Sequence, residues 1–171
     1  MNNILLFGGR AAGKDTVVDM ILQKVPNAER LRIAQFVVGA CHALGIKNPT
    51  RDDLKFVGHD IGRMMIDPDI WIKMSVDYAI THPEKTLIVS DCRYPNEYEA
   101  FVNLGFTPVL IDCAEETRIE RALLRDGYFN YDMLHHESEN HFKKFPYDLR
   151  IDNNGDIISL GMQVDKLIRG D

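Results

Sequence analysis

The densest chemistry in the chain lies near its amino terminus, in Gly8-Gly9-Arg10-Ala11-Ala12-Gly13-Lys14-Asp15-Thr16. The pattern Gly-x-x-x-x-Gly-Lys falls directly after an apolar run at 4–7 and directly before a helix-like stretch at 15–24. Glycines let consecutive backbone N–H groups curl around phosphate oxygens, the helix amino terminus adds positive potential, and a lysine at this point reaches the β- and γ-phosphates of a nucleotide. The expectation is an ATP site lined by Gly9, Arg10, Ala11, Ala12, Gly13, Lys14, Asp15 and Thr16. Asp15 stands where such loops usually carry the Ser or Thr that ligates Mg2+, with Thr16 one place later. Asp15 either faces the metal through water or opens the helix as a favourable first-turn carboxylate. Arg10 either touches phosphate or is a solvated cation.

A second group follows another apolar run, Leu87-Ile88-Val89, and reads Ser90-Asp91-Cys92-Arg93-Tyr94-Pro95-Asn96-Glu97. At the carboxyl end of a strand, Asp91 can hold the magnesium shell or orient an acceptor, and Arg93 offers a forked donor to a second phosphate. The competing reading is an Asp capping the turn and an Arg93–Glu97 ion pair. Arg118, Arg121 and Arg125 recur at spacings of three and four, so a helix puts them on one face. They either stabilise charge on a transferring phosphoryl group or form a solvated stripe neutralised by Glu115, Glu116, Glu120 and Asp126. Trp71, the only Trp, is either an apolar wall beside Arg63 or a core anchor. Cys41, Cys92 and Cys113 match neither a disulfide framework nor a paired metal motif, and His135, His136 and His141 complete no zinc set.

Positioning these groups requires strands that alternate with helices. The runs at 4–7, 87–89 and 109–111 suit strands buried on both faces, with weaker strands at 30–34 and 149–152. Helices are expected at 15–24, 69–81, 96–104, 115–125 and 156–168. The fold class is therefore α/β, a three-layer α/β/α arrangement around a parallel sheet of about five strands, in one domain. The stretches 47–68 and 127–146 lack that periodicity and read as inserted binding loops or a lid.

The joint set resembles the phage-type deoxynucleoside monophosphate kinases. It comprises Gly13-Lys14-Asp15-Thr16, Asp60-x-Gly62-Arg63 leading to Asp69-x-Trp71, Ser90-Asp91-x-Arg93-x-Pro95-Asn96-Glu97, and His136-Glu137-Ser138-Glu139. The resemblance implies a P-loop kinase fold, ATP and Mg2+ as cosubstrates, and often a homodimer. The implied acceptor is a deoxynucleoside monophosphate, with dGMP, dTMP and a modified pyrimidine all open. It implies acceptor-binding helices over 35–82 and acceptor contacts from Asp60, Arg63, Trp71, Arg93, Glu97 and Glu139. On the donor side it implies metal contacts from Asp15, Thr16 and Asp91, lid arginines Arg118, Arg121 and Arg125, and a loop at Asn154 against the adenine.

Composition bounds the alternatives. The 171 residues are 45% hydrophobic and 27% charged, with a formal net charge of -6, so polymer nucleic acid is an unfavourable partner and any anion must be held locally. The amino terminus has no basic region, and its apolar run is too short for a signal peptide or a membrane span, so the expected location is the cytoplasm.

Overall fold

The computed structural model describes residues 1–128 and 141–170. Continuous apolar runs make the central strands. In β1 (Ile4–Phe7) and in β3 (Thr86–Val89) every residue is buried, as expected of strands covered on both faces. With β2 (Ala28–Leu31), β4 (Thr107–Asp112) and β5 (Leu149–Asp152) they form a five-stranded parallel sheet in the order β2-β3-β1-β4-β5. Ile4 lies beside Ile88 on one side and Thr107 on the other, and Val109 lies beside Leu149. β1 is thus the middle strand: the chain crosses from it to the β2 edge, returns to β3 at its side, and then passes to β4 and β5 on the other side. Such a reversal opens a crevice at the carboxyl ends of the strands, where ligands collect in open α/β sheets.

Alternation along β1 sorts the layers. Ile4 and Leu6 join the core cluster with Val17, Val18 and Ile21 of helix α1 (Lys14–Lys24) and with Leu160 and Val164 of the closing helix (Ile157–Arg169). Phe7 meets Tyr98 edge-on at 5.9 Å and Phe145 at 5.6 Å, and Tyr98 and Phe145 stack at 4.5 Å. Tyr98 belongs to helix α5 (Pro95–Asn103), which follows α2 (Ile33–Ala43), α3 (Arg51–Lys55) and α4 (Ile70–Thr81) in the chain. The sixth helix, α6, is Glu115–Asp126, and the closing helix is α7. This is the expected three-layer α/β/α fold.

Two elements differ from the sequence reading. The strand expected at 30–34 ends at Leu31, because Ile33 already opens α2, with the Gln35 Oε1 accepting the Arg32 N–H at 3.2 Å as in a capping box. The stretch 47–68 is not an irregular loop: α3 runs into an 11-residue π-helix, Phe56–Ile66, whose widened turn shows in the Asp67 N–H bonded to the Gly62 carbonyl at 2.9 Å.

The chain divides into two compact units, Met1–Arg30 with Lys85–Asp171, and Leu31–Glu84. The second unit carries α2, α3, the π-helix and α4, and contains the whole of the 35–82 segment expected to bind acceptor. Within it the Trp71 indole is 5% exposed, donates to the Gly58 carbonyl at 2.7 Å, and lies over Gly62 so closely that a Cβ there would come within 2.5 Å of the ring. Trp71 is thus packed into the core of this unit.

Candidate active site

The phosphate-loop sequence leaves β1 and enters α1 through Gly13, which holds φ 94 as the helix N-cap and leaves no room for a Cβ against the Asn153 amide, 2.2 Å away. Ala11 takes φ 61, a left-handed conformation that is strained for a residue with a side chain and that recurs at ligand sites. Four loop carbonyls are held by side chains. Lys14 Nζ donates to Gly8 O at 2.8 Å and Gly9 O at 3.0 Å, Arg118 Nη1 to Arg10 O at 3.2 Å, and Asn153 Nδ2 to Ala12 O at 2.8 Å.

In a planar trans peptide the N–H points opposite to the carbonyl. Holding Arg10 O and Ala12 O therefore turns the Ala11 N–H away from Arg118 and the Gly13 N–H away from Asn153, while the Ala12 N–H bonds Gly9 O at 3.1 Å.

The side chains around the loop separate into groups with different duties. Arg30 donates to Asp15 Oδ1 at 3.0 Å and to Asp19 Oδ1 at 2.7 Å, so the 75%-exposed Asp15 carboxylate is tied along the flank of α1. This favours the first-turn role over the metal role. Thr16 is exposed in the first turn, Arg10 is exposed on the loop, and Asp91 is half-buried just past β3.

Arg118 is almost wholly buried, with its guanidinium where a side chain on residue 9 would begin and Glu115 Oε2 3.6 Å from Nη2. Its contact is with the loop backbone.

Arg121 reaches elsewhere: Nη1 donates to Asn153 O at 2.7 Å and lies 3.7 Å from Cys113 Sγ, while Nη2 donates to Gly155 O at 2.9 Å. The Arg121 fork is thus engaged with the turn after β5. Arg125 is exposed in the last turn of α6.

Asn154 is likewise engaged, with Oδ1 accepting the Ala114 N–H at 2.7 Å and Nδ2 donating to Asp152 Oδ1 at 2.6 Å. Its side chain staples the turn, and its backbone N–H also donates to Asp152 Oδ1 at 2.9 Å.

Past β3, Glu97 is 3% exposed and its Oε2 accepts the Arg93 N–H at 2.7 Å and the Tyr94 N–H at 3.1 Å. Through these two bonds Glu97 caps α5 and shapes the loop that presents Arg93. The Arg93 side chain is exposed. Burial, and then the nearby Glu97 and Asp91 carboxylates, push the Cys92 thiol far above its ordinary range, which disfavours the thiolate form.

On the second unit, Asp60 is paired with its neighbour His59, Nδ1 to Oδ1 at 2.8 Å, and Arg63 is half-buried on the π-helix. Glu139 and the 129–140 part of the expected lid lie outside the described residues.

Asn153 was not singled out in the sequence. The resemblance points to its neighbour Asn154 instead, and a contact made with Ala12 across 141 positions leaves no local signal.

No protein-family model and no curated protein matches the sequence. Among solved structures, the chain is similar to a sugar kinase from Janibacter sp., with a TM-score of 0.64 at 13% identity over 99% of this chain and 95% of that one. It is similar to a shikimate kinase from Bacteroides thetaiotaomicron, with a TM-score of 0.59 at 14% identity over 98% and 96%. A gluconokinase from Sinorhizobium meliloti gives 0.58 at 15% identity over 99% and 97%. At these identities the likeness establishes the shared P-loop kinase fold.

Proposed function

We propose that this chain transfers the γ-phosphate of ATP to a deoxynucleoside monophosphate, releasing ADP and the deoxynucleoside diphosphate. The observation that carries the reading is the loop from Gly8 to Lys14, with its carbonyls held by Lys14, Arg118 and Asn153 and the Ala12–Gly13 peptide turned by Asn153 so that the Gly13 N–H faces away from it. Lys14 exchanges the Gly8 and Gly9 carbonyls for β/γ-phosphate oxygens when ATP arrives, because a charged partner outcompetes neutral ones.

Among the described residues there is no cluster of three or more His, Cys, Asp or Glu side chains suited to a metal cage. Mg2+ in phosphoryl transfer needs only one or two protein oxygens beside the phosphates, and Thr16 and Asp91 fit that need. When bound, Mg2+ neutralises the negative charge on the β- and γ-phosphates.

Arg93 is read as the acceptor ligand, since it is exposed at the strand end on a loop that Glu97 braces. Asp60 and Arg63 share the acceptor role through the family resemblance. The acceptor phosphate oxygen is already ionised, so it attacks the γ-phosphorus without a general base as the bond to the β–γ bridging oxygen breaks. Catalysis is then positioning and charge neutralisation. The reading includes a homodimer, which sedimentation tests.

The function is tested by incubating the protein with ATP and Mg2+ and a panel of acceptors: deoxy- and ribonucleoside monophosphates, shikimate, gluconate, phosphomevalonate and dephospho-coenzyme A. Turnover confined to monophosphates, with deoxy forms ahead, supports the proposal. Turnover on another member moves the chain to a different small-molecule kinase, and tight ATP binding with no transfer to any acceptor makes it a nucleotide-binding switch.

A further inference from the structure

Asn153 is a neutral, 5%-exposed residue with three bonds to three different elements. Its side-chain amide donates to Ala12 O at 2.8 Å, its backbone N–H donates to Asp112 O at 2.8 Å, and its carbonyl accepts Arg121 Nη1 at 2.7 Å. The first bond governs the peptide unit joining Ala12 and Gly13. Because carbonyl and N–H oppose each other in that plane, drawing Ala12 O toward Asn153 turns the Gly13 N–H away from it, to the head of α1. There is no slack in the contact, since a Cβ on residue 13 would reach within 2.2 Å of the same Nδ2. Lys14 also holds loop carbonyls, but as a cation it is drawn off by phosphate; a buried amide has no such competing attraction.

We infer that Asn153 is a positioning residue for donor binding: its amide sets the Ala12–Gly13 peptide so that the Gly13 N–H faces the donor phosphates. Through Arg121 on its carbonyl, it also joins the turn 153–155 to the phosphate loop. The inference rests on the reading of residues 8–16 as the donor-phosphate site. Asn153 touches no substrate atom; it acts through the backbone of Ala12 and Gly13.

The test uses inorganic tripolyphosphate with Mg2+, a probe with phosphates but no base or ribose, measured by calorimetry on the whole chain from pH 5 to 8. Asn153→Ala should keep its far-UV circular dichroism and bind the probe roughly ten- to a hundredfold more weakly, the cost of misaiming one donor to a charged group. Asn153→Asp should bind worse still at pH 8, where its carboxylate cannot donate and repels the anion. At low pH its protonated carboxyl can donate to Ala12 O, and burial favours that form, so its affinity relative to wild type at the same pH should rise above that of Asn153→Ala.

Wild-type affinity in Asn153→Ala, or an Asn153→Asp that never gains on wild type as pH falls, would overturn the inference. If Asn153→Ala does not fold, the two protonation states of Asn153→Asp make the comparison within one protein. Failure of the wild-type chain to bind tripolyphosphate would instead remove the donor-site reading on which the inference stands.

Discussion

Arg121 and Asn153 are joined by a 2.7 Å bond from the guanidinium Nη1 to the Asn153 carbonyl, while Nη2 of the same fork holds Gly155 O at 2.9 Å. An arginine spaced to face a transferring phosphoryl group is thus built into the turn that follows β5. Its loss should loosen that turn before it affects chemistry.

Arg121→Ala is expected to raise the Michaelis constant for ATP several-fold more than it lowers turnover, and to cost about 1–3 kcal/mol of stability from two lost charge-assisted bonds. Steady-state kinetics at saturating acceptor, with a thermal melt beside them, check both. A fall in turnover at unchanged Michaelis constant for ATP would return Arg121 to the reacting phosphates.

Glu97 is predicted to matter through the backbone it caps. Glu97→Ala leaves the N–H groups of Arg93 and Tyr94 without their buried acceptor and should cost roughly 1–3 kcal/mol, while Glu97→Gln, which keeps one acceptor oxygen, should cost less. In the same variants the Michaelis constant for the acceptor should rise in the same order, because the loop under Arg93 loses its brace. Chemical denaturation and acceptor titration read the two effects, and equal stability of both variants would contradict the capping role.

Trp71 is locked onto Gly62, so Gly62→Ala has to push the indole aside. The expected loss is about 1–3 kcal/mol, the usual cost of overpacking a closed core, with a shift of the single tryptophan's emission to the red. An unchanged emission maximum and melting curve would mean that the ring has room the close contact denies.

Two groups define opposite pH limbs. The Asn154 backbone N–H and then its side-chain amide hold the Asp152 carboxyl below its usual range. That contribution is present above the unfolded carboxylate range, about pH 4, and is lost as pH falls through the lower folded value. Cys92 is the reverse: burial raises its folded value, so its contribution is complete below the unfolded thiol range, about pH 8.5, and is lost as pH rises above that. Melting curves should show a shallower acid limb in Asp152→Asn and a shallower alkaline limb in Cys92→Ala. Native Cys92 should also resist a thiol reagent at pH 8 until denaturant is added.

How much of this was legible before folding depended on whether the signal was local. Residues 8–16 declare a phosphate loop because the glycines, the lysine and the flanking strand and helix are contiguous. The runs 4–7, 87–89 and 109–111 declare buried strands because parallel strands need apolar side chains on both faces.

The π-helix at Phe56–Ile66 was illegible since its hydrogen bonds close one residue later than in an α-helix, which removes the 3.6 period that sequence patterns test. Ile33 was read into a strand because β-branched residues favour strands, whereas the Gln35 box at Arg32 starts a helix there. Glu97 and Trp71 offered two roles each, and only burial and bonding partners decide between a capping carboxylate and a ligand, or a core anchor and a wall. Asn153 acts on Ala12 from the far end of the chain, through a contact that the sheet order alone creates.

The central claim, phosphoryl transfer on the Gly8–Thr16 loop, meets its most direct test in isotope transfer from γ-labelled ATP to deoxynucleoside monophosphates by the wild-type chain and by Lys14→Ala. The account predicts labelled diphosphate from the wild type. It predicts at least about a hundredfold less from the variant, with unchanged circular dichroism, because a charge contact made chiefly in the transition state is lost. Label transferred by Lys14→Ala at more than about a tenth of the wild-type rate, against that usual hundredfold cost, would contradict the claim.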